Sequence, residues 1–107
     1  MTKRITIKNC KVINEGEIFE SDLLIEDGRI AKIDPSIDPQ GDVIDAEGLY
    51  LMPGVIDDQV HFREPGLTER GSIKTESLSA IAGGTTSFMD MPNVLPPTLN
   101  LDLWRDK

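Results

Sequence analysis

The sequence is poor in the residues that most often carry chemistry. Its 107 residues include one cysteine, one histidine, one tryptophan and one tyrosine. A single cysteine, Cys10, excludes an intramolecular disulfide and agrees with a reducing, cytoplasmic setting. A single histidine, His61, excludes any metal centre or proton relay built from several imidazoles of this chain. Positive charge is also scarce: eleven Lys and Arg face nineteen Asp and Glu, for a net charge of −8. An acidic chain without a basic cluster fits neither a nucleic-acid surface nor an anionic membrane. No apolar run approaches the ~20 residues of a transmembrane helix. The start, Met1 to Lys8, is broken by charge and lacks the apolar stretch of a secretory signal. Hydrophobic residues make up 38%, too many for a disordered chain and slightly few for a self-sufficient globule. The length suits one small domain or a part of a larger one.

The first half reads as short strands and tight turns. Ile5 and Ile7 alternate with polar neighbours, and Val12-Ile13 run up to Asn14-Glu15-Gly16. The strongest signal is Leu23 to Glu26, then Asp27-Gly28, then Arg29 to Ile33. Asp-Gly between two such runs predicts a type I′ hairpin, because both central residues need positive φ. Period-two alternation puts Ile30 and Ile33 on opposite faces of the return strand. Asp34 to Gly41 is a Pro/Asp/Gly connection. Short strands follow at Val43-Ile44-Asp45 and Leu49 to Met52, and Pro53-Gly54 breaks the chain. These strands are expected to pair antiparallel.

After Gly54 the texture changes. Val55 to Phe62 reads as a strand, Leu67 to Ile73 as a polar loop and Thr75 to Ala82 as a helix stopped by Gly83-Gly84. Thr85 to Met91 is a second strand, and a further helix begins near Leu99, with Asn100 or Asp102 available as its cap. Strand–helix–strand is a βαβ unit and implies a parallel pair. Two parallel strands and two helices cannot cover a sheet on both faces. The expectation is therefore the N-terminal piece of a longer α/β protein, with a complete small α+β domain as the alternative.

Gly54 to Gly66 holds the polar cluster. On an extended strand Asp57, Gln59, His61 and Arg63 share one face, toward the strand's C-terminal end, where parallel α/β folds carry their sites. Each has a plain structural reading and a functional one. His61 is a hydrogen-bonded strand-end residue or a metal ligand. Arg63 is a surface residue paired with Glu64 or Glu69, or a bidentate clamp for a carboxylate. Gln59 is a structural amide or part of the cluster. Asn93 is a turn residue after Met91-Pro92 or a group holding a carboxylate from the neighbouring strand end. Asp90 falls on the opposite face from Asn93 and is left out of the cluster.

Two stretches carry a family resemblance: Pro53-Gly54-Val55-Ile56-Asp57-Asp58-Gln59-Val60-His61-Phe62-Arg63-Glu64-Pro65-Gly66, and Ala82-Gly83-Gly84-Thr85-Thr86-Ser87-Phe88-Met89-Asp90-Met91-Pro92-Asn93. Together they resemble the signatures of dihydroorotase-type cyclic amidohydrolases. Asp45 to Gly54 is similar to the end of the small β-domain that precedes the barrel in that superfamily. The resemblance covers nearly the whole chain, most specifically Val43 to Thr98. Arg-Glu-Pro-Gly followed by Met-Pro-Asn favours dihydroorotases over hydantoinase-like relatives, and allantoinases usually carry an extra residue between Pro and Asn.

The resemblance implies an α/β protein, the N-terminal part of a TIM (β/α)8 barrel preceded by a small β-sandwich domain. Residues 1–53 would be the β-domain and 54–107 the first two βα units. It implies zinc as cofactor, with His61 matching the second histidine of a His-x-His pair. Gln59 stands where the family has the first histidine, a departure that replaces imidazole by a weaker ligand. Arg63 and Asn93 match the residues that bind the substrate carboxylate. The remaining ligands and the catalytic aspartate would lie beyond Lys107, so no catalytic residue is named here and the chain alone would be inactive. The implied reaction is reversible hydrolysis of dihydroorotate to N-carbamoyl-L-aspartate in pyrimidine biosynthesis, by a homo-oligomer that acts alone or with aspartate transcarbamoylase. The alternatives are a non-catalytic, dihydroorotase-like partner of that transcarbamoylase and a free-standing β-rich binding module.

Overall fold

The Asp27-Gly28 turn forms as its residues require. In the computed structural model, which describes residues 2–107, φ is 50° at Asp27 and 78° at Gly28. The turn joins strand β2 (Glu17–Glu26) to β3 (Arg29–Asp34), with Glu26 opposite Arg29. A second turn of the same kind precedes it. Glu15 and Gly16 have φ of 50° and 82°, and they join β1 (Arg4–Asn14) to β2 with Asn14 opposite Glu17. Asn-Glu-Gly is a weaker hairpin signal than Asp-Gly, because glutamate seldom adopts positive φ.

β1 is one eleven-residue strand rather than the two short runs expected. A bulge makes this possible: between the pairs Ile7–Leu23 and Cys10–Ser21, Lys8 and Asn9 stand opposite the single residue Asp22, and Asn9 takes φ 60°. The extra residue leaves the Asn9 N–H without a ladder partner, and the buried Asp22 carboxylate accepts it at 2.8 Å. The same carboxylate takes the Lys8 ammonium and the Ile37 N–H. The Lys8 hydrogen bond, followed by the one from Asn9, lowers the Asp22 pKa from 3.8 to about 2. The Asp34 to Gly41 connection is thus tied down by Asp22 at Ile37 and, at Gln40, by Thr6, whose hydroxyl both donates to Gln40 O and accepts from Gln40 N.

The other edge of β1 corrects the antiparallel expectation. β4 (Asp42–Asp45) and β5 (Tyr50–Leu51) both pair with β1 in parallel, giving a mixed five-stranded sheet in the order β3-β2-β1-β4 with β5 also on β1. Among the described residues this is one sheet, where the sequence reading expects a β-sandwich. Its core is Cys10, Val12, Leu23 and Ala46, with Ile7 and Leu51 packed against them. Burial pushes the Cys10 thiol above its ordinary pKa, and its Sγ lies 3.0 Å from Ser21 O. That is the setting of an inert, structural cysteine. In β3 a second irregularity sets Leu24 and Ile25 opposite Lys32 and Ile30, so Ala31 is the extra residue. Ile30 and Ile33 consequently line one apolar groove, not opposite faces.

The chain divides into two compact units, Met1–Pro53 and Gly54–Lys107. The second has the order β6 (Val55–Val60), α1 (Ile73–Ala82), β7 (Thr85–Asp90) and α2 (Leu101–Asp106), with β6 and β7 parallel. α1 starts two residues earlier than the apolar spacing suggests. Ser72 caps it: its hydroxyl accepts from Thr75 N, and the Thr75 hydroxyl accepts from Ser72 N. This reciprocal box satisfies two of the helix's otherwise unpaired N–H groups. Gly84, at φ 89°, turns the chain into β7. Where β6 begins, a Cβ on Gly54 would lie 2.0 Å from Thr86 Oγ1, so only glycine fits between the strands. Asn100 caps α2 by accepting from Leu103 N. Among the described residues no helix is long and apolar enough to cross a membrane.

Candidate active site

Because β6 and β7 run parallel, their C-terminal ends lie side by side and their following loops emerge at one edge. The ladder continues one step past the strands, with Met91 N–H donating to Val60 O at 2.9 Å. His61 is the first residue after β6, and Asn93 sits in the loop after β7. Their side chains meet at that edge, His61 Nδ1 lying 2.9 Å from Asn93 Oδ1. With the amide oxygen facing the ring, Nδ1–H donates and Nε2 is the nitrogen left for another partner. A histidine held by one ring nitrogen and open at the other is oriented to bind a metal or take a proton. Both side chains are exposed.

Gln59 and Arg63 do not follow the alternation expected of them. Between Asp57 and Val60, three steps of β6 face two of β7, from Phe88 to Asp90. A bulge of that kind re-aims the side chains beyond it. Gln59 is exposed, and its backbone N–H donates to Asp57 Oδ1. The strand ends at Val60, before Phe62, and Arg63 turns at φ 67°. A single shared face for Asp57, Gln59, His61 and Arg63 is therefore replaced by a strand end and a turn. The pairings weighed for Arg63 are absent. Glu64 Oε2 accepts from Ile73 N at the start of α1, and Glu69 lies 3.9 Å from Arg70. Among the described residues no carboxylate ion-pairs with the half-buried Arg63. Its guanidinium fork is open to an anion.

The residue missed by the face argument is Asp90. Its Oδ1 accepts from Phe62 N at 3.1 Å, and its Oδ2 ion-pairs with Lys107 Nζ at 2.6 Å. Lys107 also donates to Met91 O. Phe62 is buried and meets Phe88 edge to face, with ring centroids 4.5 Å apart. Further on, Leu95 N–H donates to Pro65 O, tying the loop after β7 to the loop after β6. At that crossing a Cβ on Gly66 would lie 2.1 Å from Leu95 O. The sequence held one usable hint of Asp90: a carboxylate closing an otherwise apolar Phe88 to Met91 run needs a partner.

His61 Nε2 suits one zinc ligand, whereas Gln59 offers a neutral amide oxygen, a hard donor with no charge. Among the described residues no group of three His, Cys, Asp or Glu could hold a metal ion. The fit is to one ligand and not to a closed site.

No family model matches the chain. Individual proteins do. The dihydroorotase of Aquifex aeolicus is 43% identical over 100 residues, which are 91% of this chain and 24% of that protein. The allantoinase of Bacillus velezensis is 39% identical over 104 residues, 95% of this chain and 23% of that protein. The solved L-hydantoinase of Arthrobacter aurescens superposes with a TM-score of 0.91 at 37% identity, covering 99% of this chain and 24% of that one. The chain is homologous to the N-terminal region of the cyclic amidohydrolases. It spans about a quarter of the length of these relatives. Its α/β, sheet-rich fold is theirs over that span. Relatives named dihydroorotase, allantoinase and hydantoinase stand at similar identity, so the comparisons do not separate these three names.

Proposed function

We propose that this chain is the N-terminal part of a dihydroorotase, with a complete TIM barrel following a β-sandwich domain in the whole protein. The reaction is the addition of water across the ring amide of dihydroorotate: hydroxyl to the carbonyl carbon, proton to the nitrogen, and the C–N bond opened to give N-carbamoyl-L-aspartate. The observation that carries the choice among cyclic amides is Arg63. It follows His61 by two residues, in a left-handed turn past the β6 edge, and among the described residues it ion-pairs with no carboxylate. Dihydroorotate bears a ring carboxylate that a guanidinium fork suits; allantoin bears a neutral ureido group there. Asn93 spends its Oδ1 on His61 and keeps its amide hydrogens for the same carboxylate. Arg63 and Asn93 would hold the substrate so that its amide faces the nucleophile.

Zinc would be the cofactor, with His61 Nε2 as a ligand from this chain and Gln59 in the place of a first histidine. When bound, the ion would supply an activated water and polarise the amide carbonyl. Pyrimidine biosynthesis, a cytoplasmic setting and a homo-oligomeric assembly complete the reading. In the full-length protein, Arg63→Ala is expected to raise the KM for dihydroorotate about 10- to 100-fold, the worth of a lost charge-assisted pair. An unchanged KM removes Arg63 from the site. His61→Ala should lower zinc content, and full occupancy by metal analysis counts against His61 as a ligand. A second reading is favoured by Gln59: a non-catalytic homologue that serves as a structural partner of aspartate transcarbamoylase. Zinc-free protein without turnover would support it.

A further inference from the structure

We propose that Asp90 is a positioning residue for the site, setting the geometry of the His61–Arg63 turn through the Phe62 backbone. The inference rests on the reading of His61 and Arg63 as functional groups, but it concerns a residue that neither contacts substrate nor binds metal.

Phe62 lies between the two candidate groups. Its side chain is buried against Phe88, so its backbone N–H is turned away from solvent at a point where the β6 ladder has already ended. A buried N–H needs an acceptor. Asp90 Oδ1 supplies it from the last residue of β7. The peptide held in this way is the one that joins His61 to Phe62, and the next residue is Arg63 in its left-handed turn. Fixing that peptide fixes the direction in which the His61 ring leaves the strand and hence its 2.9 Å approach to Asn93.

The second Asp90 oxygen explains how a carboxylate can serve here. Lys107 neutralises it at 2.6 Å, both side chains being nearly buried, and also donates to Met91 O. The pair keeps Oδ1 a strong acceptor in a half-buried place. No other side chain among the described residues hydrogen-bonds the His61 to Arg63 backbone. Asp90 thus acts on both groups at once, through one peptide.

The test uses the 15N spectrum of the His61 imidazole, assigned by its loss in His61→Asn, beside amide exchange at Phe62. Neither readout requires turnover, so each reports whether or not dihydroorotate is the substrate. In the unaltered protein the His61 signals should be those of the Nδ1–H tautomer, and the Phe62 amide should be protected. Asp90→Ala should speed Phe62 exchange about tenfold, the worth of one hydrogen bond, and return His61 to a mixture of tautomers. Asp90→Asn, which keeps an oxygen at the Oδ1 position, should restore the Nδ1–H signals. Lys107→Met, which keeps the acceptor, should leave them unchanged while lowering stability. A folded Asp90→Ala variant with an unaltered His61 spectrum overturns the proposal. So does an unprotected Phe62 amide in the unaltered protein, a result that holds even where Asp90→Ala fails to fold. In the full-length enzyme, the same variants should raise KM and lower kcat together in the order Ala above Asn, whereas a purely structural role would reduce only the amount of folded protein.

Discussion

The two units spend their polar residues in opposite ways. In Met1–Pro53 the informative carboxylate, Asp22, is turned inward, where one bulge amide, one loop amide and a lysine saturate it. In Gly54–Lys107 the informative groups, His61, Arg63 and Asn93, stand at the open ends of two parallel strands, with hydrogen-bonding capacity left over. The first arrangement holds a sheet together. The second presents groups to a ligand and leaves the holding to Asp90, Phe62 and the glycines. Burial follows the same division. The first unit buries Cys10, Val12, Leu23, Leu24, Ile37 and Ala46, whereas the second buries Phe62 and Val94. Leu78 and Ile81, at helical spacing on α1, stay exposed.

The comparison is broken most forcefully at Asp22. Asp22→Ala strands the Lys8 ammonium and two backbone amides, and should cost about 3–5 kcal/mol; chemical denaturation measures it. The loss should leave the His61 imidazole spectrum unchanged as long as the protein is folded. A shift at His61 would show that the two roles are not separable. The pH dependence of stability gives a smaller effect. The Asp22 pKa is lowered from 3.8 to about 2, so the folded state holds fewer protons than the unfolded state between those values. Stability from this group is complete above the ordinary carboxylate value and is lost as pH falls through about 2. Acid unfolding of Asp22→Asn should lack this component. Gly54→Ala sharpens the other side, since its Cβ would strike Thr86 and overpacking costs about 1–3 kcal/mol. Asn100→Ala, which removes only the α2 cap, should cost about 1 kcal/mol in a thermal melt.

The same two regions show what a sequence discloses. Asp27-Gly28 was legible because a two-residue turn is decided by its own φ requirements. The βαβ order was legible for the same local reason, and of the two cap candidates for α2, Asn100 and Asp102, the structure uses Asn100. The parallel pairing of β4 and β5 with β1 was not, because it joins residues some forty positions apart and no local pattern encodes it. The bulges at Asn9, Ala31 and Gln59 were hidden as well, and each shifts faces that period-two alternation would assign. That is why Ile30 and Ile33 share a groove and why Asp90, set aside by its face, reaches the Phe62 amide. The residues of the candidate site came from the polar strand-end cluster and its resemblance to cyclic amidohydrolases. Their geometry came from the turn after Val60, which ends the strand sooner than Phe62.

The account rests on a carboxylate-reading arginine beside an oriented imidazole. The most direct test is hydrolysis of dihydroorotate, allantoin and a hydantoin with an uncharged side chain, measured side by side in the full-length protein and its Arg63→Ala variant. The account predicts that dihydroorotate has the highest kcat/KM and that Arg63→Ala removes its advantage over the two uncharged rings. Preference for an uncharged ring, or an advantage for dihydroorotate that survives Arg63→Ala, would contradict it.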